Sequence, residues 1–116
     1  MSEPASTRVI QDWRTRIDAI DEQLMRLLNS RSACAVELGR VKRAMGLPIY
    51  SAEREAQVLA RVERENPGPL DALAVRRVFE RVIDESRRLE RLATEKGDGS
   101  DPTETDSTDM DKGRQG

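Results

Sequence analysis

Between residues 10 and 45 the chain places Ile10, Trp13, Ile17, Ile20, Leu24, Leu27, Arg31, Cys34, Leu38, Val41 and Met45 at alternating intervals of three and four. That alternation is a heptad seam, and it predicts one α-helix from about Thr7 to Met45. Gly46 and Pro48 supply its C-terminal cap and its stop. At 1.5 Å per residue this helix is about 55 Å long, whereas a compact domain of about 95 residues has a radius of gyration of only about 12 Å. One small chain cannot bury such a seam, and a homodimeric bundle is the simplest cover for it. A second helix from about Ala52 to Glu65 follows Ser51 as N-cap, presents Val58, Leu59 and Val62, and stops at Asn66-Pro67-Gly68-Pro69. A third begins near Asp71, and its stripe runs Val75, Val78, Phe79, Val82, Ile83, Ser86, Leu89, Ala93. No alternating strand or hairpin intervenes, so the fold class is all-α, with a long, a short and a medium helix.

Composition narrows the chemistry. The 116 residues hold 20 Lys plus Arg against 22 Asp plus Glu, a net charge of -2, with 36% hydrophobic and 3% aromatic residues, which fits one small domain. No apolar run reaches about 18 residues and no secretory apolar segment opens the chain, so the expectation is a cytoplasmic protein with no membrane span. Cys34 has no internal disulfide partner, and the absence of histidine excludes His-based zinc sites and every Ser-His or Cys-His catalytic pair. Residues 95–116 carry seven acidic and three basic side chains among Gly, Ser and Thr, and are expected to form a disordered acidic tail; residues 1–7 are expected to be a flexible N-terminus. Seventeen of the 20 basic residues are arginine, and Lys42 is the only lysine before the tail, so a lysine retained at that place carries some information.

Two residues break the apolar pattern. Arg31 occupies a seam position, and Ser86 lies in the stripe of the third helix. A buried arginine costs several kcal/mol unless it meets an anion. It can pair with a buried glutamate or snorkel from a seam that ends there, or it can bind a ligand, and composition leaves both open. Lys42 follows Arg31 by about three turns and projects from nearly the same face. Ser86 and Glu90 share a face with Phe79 and Ile83, and Arg54 and Glu55 sit at the start of the second helix, an anion-friendly place. Charges beside a core in this number predict a pocket for a small molecule with more than one carboxylate, bound bidentately by guanidinium groups and by a compact ammonium. Cys34 reads as a small core residue of the seam and Trp13 as a core or dimer-interface anchor. Arg76-Arg77 and Arg87-Arg88 alternate with Glu80, Asp84, Glu85 and Glu90, so they form a solvated face with ion pairs rather than a nucleic-acid stripe, and no phosphate-cradling glycine loop is present.

The segments Trp13-Arg14-Thr15-Arg16-Ile17-Asp18-Ala19-Ile20-Asp21, Leu27-Leu28-Asn29-Ser30-Arg31, Gly39-Arg40-Val41-Lys42, Leu47-Pro48-Ile49-Tyr50 and Glu53-Arg54-Glu55 resemble, in order and spacing, the all-helical type II (AroQ-class) chorismate mutases. The resemblance covers residues 8–93, including the Phe79–Ser86 segment of the third helix. It implies a three-helix fold with a long first helix in an intertwined homodimer, a mutase domain over residues 8–94, and the Claisen rearrangement of chorismate to prephenate in phenylalanine and tyrosine synthesis. That reaction needs no proton transfer, covalent intermediate, metal or cofactor, only a folded substrate and stabilisation of charge growing on the ether oxygen. Carried over by position, the resemblance implies that Arg14, Arg31 and Arg54 bind the two carboxylates, with Arg14 reaching into the partner's pocket. Arg14 stands roughly 100° around the helix from Arg31, in keeping with service to different pockets. It further implies that Lys42 donates to the ether oxygen and a carboxylate, that Glu55 accepts from the ring hydroxyl, and that Ser86 holds a carboxylate.

Two positions depart from the family's best-known pattern. Ser51 stands where an aspartate is common; it can cap the helix or bond a hydroxyl but brings no charge. Glu90 stands where a glutamine amide usually donates to the ether oxygen. An ionised carboxylate only accepts, so Glu90 assists in its protonated form; alternatively it is a surface residue paired with Arg87 or Arg91. The resemblance also leaves room for an isochorismate pyruvate lyase or a mutase of amino-substituted chorismate, and the seam alone would suit a non-catalytic helical adaptor.

Overall fold

The computed structural model describes residues 4–99, with side-chain surroundings up to residue 96. Three helices make up the fold: α1 (Ala5–Ala44), α2 (Ala52–Glu65) and α3 (Ala72–Gly99), and no strand occurs among the described residues. The Pro4 carbonyl accepts from the Thr7 and Arg8 amides at 3.0 and 3.2 Å, so α1 begins two residues before the predicted Thr7. The tail boundary expected at residue 95 falls inside α3, whose helix runs on to Gly99; residues 100–116 lie outside the described residues.

The chain falls into two units, divided between Cys34 and Ala35. The first carries most of α1. Its apolar seam residues from Ile10 to Leu27 are all exposed within the chain, at 50% for Ile10 and 68% for Leu27. Trp13 is exposed as well, with the Arg16 guanidinium 4.7 Å over its ring, so it is no core residue of a single chain. Cys34 is exposed too, which corrects its reading as a small core residue: the seam that holds it is not covered by its own chain.

The second unit holds the end of α1 with α2 and α3. Gly46 adopts a left-handed φ of 72°, the Leu47 amide reaches back to the Lys42 carbonyl at 2.8 Å, and the Gly46 amide bonds the Arg43 carbonyl at 3.1 Å. This Schellman closure satisfies carbonyls that the end of the helix would otherwise leave open. Ser51 Oγ accepts from the Arg54 amide at 3.1 Å and caps α2; Asp71 Oδ1 accepts from the Ala74 amide at 2.7 Å and caps α3. Between them Asn66 closes the connecting loop, donating to the Leu70 carbonyl and accepting from the Gly68 amide.

Val58 and Leu59 of α2 pack against Ile83 and Phe79 of α3, and this cluster is the core of the unit. Along α3 the buried line is Val75, Ile83 and Ser86, with Phe79, Val82 and Leu89 half-buried. Val78, expected in the stripe, is 53% exposed, because it lies roughly 60° behind Val75 at the edge of the buried arc. Two ion pairs join the helices and show that they run antiparallel: Arg76–Glu63 at 2.8 Å near one end, Arg87–Glu55 at 3.4 Å near the other. On the outer face of α3, Arg81 and Arg88 bracket Glu85 at 2.7 and 2.9 Å, as the alternating charges predict. The Arg88 hydrogen bond, helped by both positive charges, holds the Glu85 carboxyl below its ordinary value.

Candidate functional site

Lys42 lies in the last turn of α1, half-buried, and its Nζ donates to the Ile49 carbonyl at 3.2 Å. The Schellman closure at Gly46 turns the chain so that residue 49 comes back over the helix it has just left. An ammonium has three donors, and the bond to Ile49 aims the group while two donors remain for a ligand.

One turn before Lys42, Gly39 is the one buried residue of α1. A Cβ at this position would stand 3.7 Å from Glu90 Cγ and 3.7 Å from Ile49 Cγ2. Glu90 of α3, half-buried, and Ile49 thus lie against this face of α1 at a distance that would put a Cβ in ordinary van der Waals contact with both. Both readings of Glu90 find their groups nearby, since Arg87 and Arg91 line the same cavity as Glu90. Ser86, one turn earlier on α3, is 4% exposed. Lys42, Ile49 and Glu90 thus meet at one place, with Ser86 on the same helical face as Glu90.

At the start of α2, Glu55 is 26% exposed at its side chain and takes the Arg87 guanidinium at 3.4 Å through Oε2. Arg87 also lies over the Tyr50 ring, its Cζ 4.0 Å from the centroid. Arg87, Tyr50, Ile49, Glu90, Arg91, Thr94 and Glu95 line a cavity of about 350 Å³, in the size range of small-molecule pockets. Glu90 is therefore set between the α1 backbone and a cavity whose walls carry two guanidinium groups.

The other sequence-predicted residues are placed less closely. Arg54 is exposed, and Ser51 Oγ accepts from the Arg54 amide as helix cap. Arg14, exposed, and Arg31, half-buried, belong to the first unit. Sequence reasoning missed Gly39 and Arg87. A glycine inside a helical run with no break in the helix signals a close approach, and that signal was present for Gly39. Arg87 follows Ile83 by one turn, so it borders the buried face rather than the solvated one.

Among the described residues no helix is long and apolar enough to cross a membrane. The family model for chorismate mutase type II matches residues 13–91, a span that takes in every candidate from Arg14 to Glu90. The chain is 40% identical over 83 residues to the bifunctional chorismate mutase/prephenate dehydratase of Pseudomonas aeruginosa, which covers 67% of this chain and 23% of that protein. It is 37% identical over 79 residues to the T-protein of Haemophilus influenzae, covering 66% of this chain and 21% of that one. The chain thus spans about a quarter of the length of such curated relatives. Among solved structures it is similar to the chorismate mutase (form II) of Thermus thermophilus, with a TM-score of 0.69 and 35% identity, covering 71% of this chain and 93% of that chain. With the match running through all three helices and across the meeting point of Lys42 and Glu90, the chain belongs to the chorismate mutase type II family.

Proposed function

We propose that the protein rearranges chorismate to prephenate, as a homodimer in which Arg14 serves the partner's pocket. The observation that carries the reading is the convergence of Lys42 and Glu90 at Ile49, over the side-chain gap at Gly39, inside the span that the family model matches. The reaction is pericyclic: a carbon–carbon bond forms as the ether bond breaks, within one molecule. The protein's part is to hold the two ends of the substrate in reach and to stabilise negative charge growing on the ether oxygen. Lys42 donates to that oxygen with one N–H and to a carboxylate with another. Glu90, when protonated, donates to the same oxygen from the opposite element. Arg31, Arg54 and the partner's copy of Arg14 hold the two carboxylates, Ser86 bonds one of them, and Glu55 accepts from the ring hydroxyl. Ser51 caps α2 through one lone pair of its hydroxyl, and its O–H remains to bond a hydroxyl of the substrate.

The exposed seam of the first unit supports the dimer. Six seam side chains from Ile10 to Leu27 are at least half exposed in the single chain, at the heptad spacing that a second helix covers. The experiment is a direct assay: purified protein with chorismate, loss of substrate absorbance followed, and the product identified by chromatography. Prephenate is the expected product. Release of pyruvate, or no consumption of chorismate, overturns the reading.

A further inference from the structure

Arg87 differs from the outer-face arginines of α3. Arg81 and Arg88 engage Glu85 on their own helix, whereas Arg87 crosses to α2 and reaches Glu55 at 3.4 Å. Its guanidinium is stacked on Tyr50, and its side chain is 38% exposed, so the pair stands at the rim of the cavity and not in open solvent. A planar guanidinium pinned from one side by an aromatic face has little freedom, and it presents a fixed edge to the carboxylate.

We propose that Arg87, clamped on Tyr50, is a positioning residue that fixes the Glu55 carboxylate for the hydroxyl of the substrate. The proposal rests on the reading of Glu55 given above. The ion pair is made through Oε2, and a carboxylate has about four acceptor sites on its two oxygens, so Glu55 can hold Arg87 and still accept a hydroxyl. Glutamate has three rotatable bonds, and without Arg87 its carboxylate would sample several rotamers beside an exposed stretch of α2. The substrate would then have to order that side chain on binding. The hydroxyl sits on the ring carbon next to the one whose ether bond breaks, but it forms and breaks no bond and takes up no charge in the rearrangement, so its hydrogen bond serves mainly to bind the substrate. Loss of its positioning therefore raises KM and leaves kcat nearly unchanged.

A second ion pair supplies the control. Arg76–Glu63 joins the same two helices at their other end, at 2.8 Å, with no part in the cavity. If Arg87 merely fastened α2 to α3, Arg87→Ala and Arg76→Ala would behave alike. The experiment measures kcat and KM for chorismate in the full chain, with thermal melts, for wild type, Arg87→Ala, Arg76→Ala, Glu55→Ala and the Arg87→Ala/Glu55→Ala double variant. Arg87→Ala is expected to raise KM by about tenfold with kcat within about twofold, while Arg76→Ala keeps the wild-type KM. In the Glu55→Ala background, Arg87→Ala is expected to change KM by less than about twofold, because the group it positions is gone. A wild-type KM in Arg87→Ala overturns the proposal, as does an equal KM effect in Arg76→Ala. An Arg87 effect that persists undiminished without Glu55 overturns it too, by giving Arg87 a contact with substrate of its own. If the wild-type protein does not turn over chorismate, it is the proposed function that fails; if wild type is active and only these KM effects are absent, that function stands and the role of Arg87 falls.

Discussion

Ile20 lies in the middle of the α1 seam and is 58% exposed within the chain. Replacing Ile20 with Asp tests whether a second copy covers it. Burying an isoleucine fully is worth about 1.5–3 kcal/mol, and with more than half of this side chain still open, the part left for a partner is about 1 kcal/mol. The six exposed seam positions from Ile10 to Leu27 then supply about 6 kcal/mol per chain and about 12 kcal/mol per dimer, a gross value comparable to the association cost of roughly 4–15 kcal/mol. In a two-fold interface each substitution counts twice. Ile20→Asp therefore removes about 2 kcal/mol of apolar contact per dimer and also obliges two carboxylates to lose water, at several kcal/mol if they stay charged. The expected sum is about 4–6 kcal/mol, a thousandfold or more in the dimer dissociation constant. Ile20→Ala, without the charge, is expected to cost about 2 kcal/mol and roughly thirtyfold. Sedimentation equilibrium across a hundredfold range of concentration reads the constants, with turnover measured in parallel. The reasoning is refuted if wild type is a folded, active monomer at micromolar concentration, or if Ile20→Asp dimerises as wild type does.

If Arg14 serves the partner's pocket, Arg14→Ala and Lys42→Ala are each nearly inactive alone, yet after subunit exchange half of the dimers are mixed and hold one intact site of two, so an equimolar mixture recovers about a quarter of wild-type activity. No recovery after exchange places Arg14 in its own chain's site. Glu90→Gln, whose amide donates a hydrogen bond without needing a proton, is expected to keep the turnover that Glu90→Ala loses; an equal loss in both variants counts against Glu90 as donor. Gly39→Ala is expected to stabilise α1 by about 0.5–1 kcal/mol, because the new Cβ meets Glu90 Cγ and Ile49 Cγ2 at an ordinary 3.7 Å. This raises Tm by roughly 2–6 °C, and a lowered Tm in a melt would show that the approach is tighter than that distance implies. Lys42→Arg is expected to lower kcat by about a hundredfold despite the conserved charge, and near wild-type turnover would make the lysine incidental.

The helices were legible because their signals are local. Heptad spacing, the glycine at the end of α1, the Ser51 cap and the Pro-Gly breaker each act within a few residues, and α1, α2 and α3 lie where these place them to within a residue or two, apart from the C-terminal end of α3. That end shows the limit. Composition argues against order from Glu95 onward, yet Glu95 and Lys96 continue a helix already nucleated, and adding a residue to an existing helix costs far less than starting one. The site was legible only in part. Arg31 and Ser86 stand out as polar residues at apolar spacing, with Lys42 and Glu90 as charges near the same faces, but the approach of Glu90 to Gly39 joins residues 51 positions apart, and the Arg87–Glu55 pair joins different helices. No periodicity along one helix carries that information. Cys34 was misread for a related reason: a seam position signals that something covers it, and whether the cover is the same chain is not encoded in the spacing.

A lysine at position 42 in a chain whose other basic residues before the tail are all arginine has a geometric reason. The group there has three acceptors to satisfy in different directions: the Ile49 carbonyl at 3.2 Å, and, in the proposed reaction, the ether oxygen and a carboxylate. A tetrahedral ammonium turns three donors outward around one point, whereas a guanidinium spreads its five in a single plane and suits a flat anion. The stretch of chain that carries Ile49 leaves α1 through a turn closed by backbone bonds, among them the Leu47 amide on the Lys42 carbonyl at 2.8 Å. The donor is thereby aimed before substrate arrives, so that little reorganisation is left for the moment when charge appears on the oxygen, and it is this prior alignment that makes a fixed dipole or charge more effective than mobile water. In the proposed reaction the arginines at 14, 31 and 54 face the opposite demand. They would share two planar carboxylates, which parallel N–H bonds grip in one orientation, and for that task the fork is the better shape.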